Sequence, residues 1–134
     1  METTIAPLSP ETLLLDYTQW LDFVMASRRT IRRYDYQLGQ LGKRYTDLSD
    51  LSNYLRRCMH QRSLFLGGLI LQLTGKVAQL RAEPTNPELI RHLAGAHSTI
   101  QALITYLKTV LTELEESYRT LLPGQPTIRT TTLF

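Results

Sequence analysis

The hydrophobic positions of this chain recur every three or four residues over long tracts, the period of a helix that buries one side. Between Leu48 and Leu80 one stripe collects Leu51, Leu55, Cys58, Met59, Leu66, Leu69, Ile70, Leu73 and Val77, with Tyr54 and Phe65 at its edge. Between Leu89 and Leu121 a second collects Leu93, Ile100, Leu103, Leu107, Val110, Leu111, Leu114 and Tyr118. Upstream, Ile31, Tyr34, Leu38, Leu41 and Tyr45 share an arc of about 220° to 300° when each residue advances 100° from Arg28.

Proline and the capping residues agree with that pattern. Pro7, Pro10, Pro84, Pro87, Pro123 and Pro126 leave residues 11–83 and 88–122 without a breaker. Ser9, Pro10 and Glu11 form a start signal: a cap hydroxyl, a first-turn proline whose missing N–H costs nothing, and an acid at the positive helix end. Asn86, Pro87 and Glu88 repeat the device. Gly39 and Gly42 predict a break over 39–46, with Asp47 or Ser49 capping a new helix to about Arg81. A softer bend at Ser27 would divide the first helix into segments 10–26 and 28–45. The short linker 82–85 predicts antiparallel neighbours.

The expectation is an all-α fold, an antiparallel bundle of three to four long amphipathic helices with an extended C-terminal tail. One domain covers residues 1–122, and the tail, rich in β-branched residues, covers 123–134. At 134 residues a single core forms without metal or disulfide staples. Cys58, the one cysteine, falls on an apolar face and reads as a structural thiol in a reducing compartment. The N-terminal residues lack the basic and apolar regions of a secretory signal, and the longest apolar run, Leu64 to Leu71, is short for a membrane span. A cytoplasmic protein without a membrane partner is expected.

Charge adds a functional hint. Residues 28–62 hold nine of the fifteen Lys and Arg and three of the twelve Asp and Glu, a net +6 against −3 elsewhere. Arg28, Arg29, Arg32, Arg33, Tyr36, Lys43 and Arg44 occupy about 0° to 160° of the helical projection, opposite the apolar arc. Guanidinium groups grip phosphate in two-pronged fashion and stack on flat rings, so arginine mixed with tyrosine suits nucleic acid. The stripe is about 25 Å long at the helical rise, enough for several phosphates, and Tyr36 can stack an unpaired base. Arg56, Arg57 and Arg62 are expected to extend the patch across the hairpin. Three readings compete: RNA or single-stranded DNA, an acidic protein partner, and a plain solvated face.

Further residues bear on partners and chemistry. Arg62 projects inside the apolar stripe, where it needs a carboxylate such as Asp16 or Asp22, or else marks an opening to solvent. Leu64 and Leu71 lie off the main stripe, and Gly67 and Gly68 allow close approach, so this stretch is a candidate surface for self-association or another subunit. His60, His92 and His97 lack partners at ligand spacing, so neither metal nor other cofactor is expected. There is no phosphate loop, nucleophile elbow or paired-carboxylate motif, and no small-molecule substrate is expected.

Arg91 and His97 stand at an Arg-x5-His spacing with His92 beside the arginine, which resembles the pattern of HEPN-type ribonucleases and implies metal-independent RNA cleavage as an alternative. The ending Leu133–Phe134 is similar to the peptides by which bacterial replication proteins hold the sliding clamp, with Thr130 where that pattern has Gln. In size, helicity and charge the chain resembles the small helical subunits of CRISPR effectors and the basic bundle proteins that assist reverse transcriptases of diversity-generating elements. The reading that follows is a non-catalytic accessory subunit binding nucleic acid, with a protein–protein adaptor as its rival.

Overall fold

The computed structural model describes residues 8–121 of the chain. It is all-α: α1 spans Pro10–Arg44, α2 spans Ser49–Ala82 and α3 spans Pro87–Leu121, with a 3-10 turn, Thr46–Leu48, between the first two. The expected tail, with Leu133 and Phe134, lies outside the described residues.

Both start signals work as capping devices. The Ser9 hydroxyl accepts from the Thr12 amide at 3.1 Å, with Pro10 in the first turn. Asn86 Oδ1 accepts from the amides of Glu88 and Leu89 at 3.1 and 3.4 Å, satisfying donors that no helical carbonyl reaches. The hairpin turn differs from expectation. Leu48 stands at the cap of α2 with no side-chain bond, so neither Asp47 nor Ser49 caps it. Backbone bonds of the 3-10 turn, including Leu48 N–H to Tyr45 carbonyl at 2.9 Å, do the closing instead.

The expected division at Ser27 is absent: α1 runs unbroken through it, with its hydroxyl donating to the Phe23 carbonyl at 2.8 Å, and there are three α-helices among the described residues. Gly39 and Gly42 likewise sit inside α1.

α2 returns beside α1: Arg56 meets Asp35, Arg28 meets Ser63, and Ser52 donates to the Leu38 carbonyl at 2.6 Å. α3 runs beside α1 in the same direction. Asp16–His97, Tyr34–Glu115 and Gln37–Tyr118 all pair across a constant 81 residues. The shared core takes Leu13, Tyr17, Val24, Ile31 and Leu38 from α1, Met59, Leu66, Leu73 and Leu80 from α2, and Leu93, Ile104, Leu107 and Leu111 from α3. Leu51 and Tyr45, expected on apolar stripes, are exposed.

Tyrosines tie α1 to α3. Tyr17 donates to the Leu93 carbonyl at 2.9 Å, and Tyr34 stacks on Tyr118 with centroids 4.1 Å apart. Burial raises the phenol pKa of Tyr17, Tyr34 and Tyr118 above the ordinary 10.0, and the Glu115 carboxylate pushes Tyr34 further in the same direction. The folded state therefore holds these three protons more tightly than the unfolded chain does. Their contribution to stability is complete below about pH 10 and is lost as pH rises through the raised values. Thermal unfolding followed by circular dichroism is expected to show a melting temperature that falls steeply above about pH 10. A flat profile through the phenol range would contradict it.

Candidate nucleic-acid interface

The unbroken course of α1 presents its cations on one side of a single helix. Arg29, Arg32, Arg33, Lys43 and Arg44 are all exposed, and Tyr36 among them is 67% exposed. Lys43 and Arg44 also lie in the last turn, where the helix dipole favours positive charge. Arg33 lies over the Tyr34 ring, 5.6 Å from its centroid, which supports the guanidinium from below. Of the nine cations in residues 28–62, Arg56 alone is in an ion pair among the described residues.

Two of the arginines serve the hairpin as well. The Arg28 guanidinium lies against Gly67, where a Cβ would stand 2.9 Å from its Nη2, and its Nε donates to Ser63 Oγ at 3.3 Å. Arg56 lies against Gly39 in the same manner, 2.9 Å from a Cβ there, and its Nε donates to Asp35 Oδ1 at 3.0 Å. Each helix thus offers one glycine to a guanidinium from the other. Gly67 is used within the chain by Arg28, which leaves Gly68 as the open glycine of that pair, with nothing within 4 Å of a Cβ position.

Along this crossing the surface opens into a trough. Its wider part, about 510 Å3, lies over Asp35, Asn53, Arg56, Arg57, His60 and Gln61. A narrower part of about 260 Å3 continues past Arg28, Arg32 and Leu64 and shares Asp35 and His60 with the first. The trough therefore joins cations of α1 to cations of α2, with Asp35 as its one acid. Asn53 and Asp35 were not singled out by the sequence, and His60 was weighed there only as a metal ligand. The charge segregation pointed to the region, but their convergence depends on the hairpin register.

Arg62 is exposed and in no ion pair among the described residues, so its side of α2 reaches solvent. Of the two carboxylates offered for it, Asp16 is engaged elsewhere: its Oδ2 is 2.7 Å from His97 Nε2, with the Trp20 ring 5.0 Å from the imidazole. Arg91 is exposed, six positions from His97 and about 9 Å away along the axis of the unbroken α3. Among the described residues no three His, Cys, Asp or Glu side chains gather as a metal site. Leu64 and Leu71 are exposed. No family profile, curated protein or solved structure matches the chain.

Proposed function

We propose that the chain is a non-catalytic helical accessory subunit that binds the backbone of RNA or single-stranded DNA, within a larger nucleoprotein assembly such as a CRISPR-type effector or a reverse-transcriptase complex. The observation that carries this reading is the row of exposed, unpaired cations on α1, continued across the hairpin by Arg57 and His60. A row of guanidinium groups without carboxylate partners is electrostatically unsatisfied, and phosphates spaced along a strand supply the missing charge while releasing counterions. Tyr36 stands between Arg33 and Lys43, where a base unstacked from its neighbours can lie on the ring. Nothing on this face is shaped for base edges, so binding is backbone-led and of low sequence preference.

Asp35 acts as an internal competitor in this reading, since it occupies Arg56 and faces the trough. Asp35→Asn is expected to raise affinity for single-stranded RNA by about three- to tenfold, because a nearby like charge is removed and Arg56 is released. Fluorescence anisotropy of a labelled oligonucleotide measures it, and an unchanged or weaker affinity contradicts the role. Location is tested separately by photocrosslinking with thiouridine-substituted RNA and mass spectrometry. Adducts are expected on the peptide between Arg33 and Lys43, at Tyr36, whereas adducts confined to α3 would overturn the reading.

A further inference from the structure

The outward side of α2 carries an apolar seam that meets the trough only at one end, where Arg57 and Leu64 line both. Leu64 is 60% and Leu71 75% exposed, and between and beyond them Gly68 and Gly75 face open space, with nothing within 4 Å of a Cβ position. The spacings of four, three and four residues keep all four on one stripe, the seam of a coiled coil. Between Arg62 and Arg81 the only charged residue is Lys76. Although the stretch is apolar enough by length and composition to cross a membrane, only 28% of its most apolar window is buried. Exposed apolar surface of this kind on a long helix marks an interaction site.

We propose that this seam docks a second copy of the same chain, the two α2 helices running antiparallel about a two-fold axis between Leu69 and Ile70. The pattern is self-complementary under that operation and under no parallel one. The axis brings Leu64 to Gly75 of the partner subunit and Leu71 to Gly68 of the partner subunit, so each exposed leucine enters a notch where the facing helix has no side chain. A parallel pair would set leucine on leucine and leave glycine facing glycine across a void. Charge selects the same arrangement. Arg57 comes over the end of the partner's α2, near Glu83 of the partner subunit and the negative pole of that helix, and the contact is repeated at the other end of the seam. In the parallel alternative Arg57 meets its own copy. A bilayer fits poorly beside Arg57, which continues the seam stripe seven residues before Leu64. The pairing is independent of nucleic acid and, being apolar at its centre, persists at high salt.

Sedimentation equilibrium in high salt without nucleic acid is expected to give twice the chain mass of 15.4 kDa at micromolar concentrations. Gly68→Glu with Gly75→Glu fills both notches with charge, and because both positions face open space in one chain, the variant is expected to keep its helix content and melting temperature while its mass falls to that of one chain. Orientation is read by disulfide trapping in a Cys58→Ser background. Chains carrying Leu64→Cys are expected to crosslink to chains carrying Gly75→Cys and not to themselves. A single-chain mass at every concentration, a two-chain mass that survives the filled notches, or self-crosslinking of Leu64→Cys would each overturn the proposal. Single chains that bind phospholipid vesicles would assign the seam to a membrane and overturn it equally.

Discussion

Replacing Arg29, Arg32 and Arg33 together by Ala is expected to lower affinity for single-stranded RNA at least about a hundredfold, since a hydrogen bond to a charged group contributes about 1.5–3 kcal/mol. The slope of log affinity against log salt should shrink by about two, because each lost phosphate contact removes about 0.7 of a unit for a single strand. These three are chosen because their side chains are exposed and in no ion pair among the described residues, so their removal breaks no ion pair of the hairpin. Arg28→Ala is the informative contrast. Its guanidinium is spent partly on Gly67 and Ser63, so it should weaken binding less than any two of the exposed arginines and cost some stability as well. Salt titration of anisotropy separates the two effects, since only the loss of phosphate contacts changes the slope.

The largest expected effect on the fold comes from Arg119→Leu. Glu115 has a side chain only 5% exposed, and its carboxylate is held by Arg119 through Nε at 3.1 Å and Nη2 at 2.9 Å, with the Tyr34 hydroxyl 3.5 Å away. The pairing also holds the Arg119 guanidinium above its usual pKa, chiefly through the hydrogen bond to Glu115. Without Arg119 the carboxylate keeps its burial and loses its counter-charge. Breaking a fully buried pair costs about 3–5 kcal/mol; Arg119 is 38% exposed, so the expected loss here is nearer 2 kcal/mol. The double variant Glu115→Leu with Arg119→Leu removes both charges and should recover much of the stability, since the site then holds no unpaired charge. Urea denaturation of the three proteins measures this. A double variant no more stable than Arg119→Leu alone would show that the charge imbalance is not what destabilises it.

Much of the fold was legible because its determinants are local. Ser9 with Pro10 and Asn86 with Pro87 marked two helix starts to the residue, since a cap needs only a side chain three positions from the amide it satisfies. The stripes marked the buried sides, because helical period alone sets them. Local rules failed where a long-range contact decided. Ser27 reads as a bend in isolation, but it is fully buried against the rest of the core and α1 continues through it. Leu51 belongs to the stripe by period, yet it sits in the first turn of α2 and stays in solvent. Arg62 was expected either to meet a carboxylate such as Asp16 or Asp22 or to mark an opening to solvent; it is exposed, and the parallel course of α1 and α3 gives Asp16 to His97. The basic face itself was readable from spacing. The trough was not, because Asp35, Asn53 and His60 converge only once the hairpin register is fixed, and the reciprocal seating of Arg28 on Gly67 and Arg56 on Gly39 follows from the same register.

The central claim is that the α1 face binds a phosphate backbone, and its most direct test is fluorescence anisotropy of labelled single-stranded RNA, single-stranded DNA and duplex DNA against the purified protein at two salt concentrations. The account predicts binding at low salt that weakens steeply as salt rises, favours the single strands, and is lost when Arg29, Arg32 and Arg33 become Ala. Absence of binding at low salt, or binding indifferent to those three residues, would contradict it.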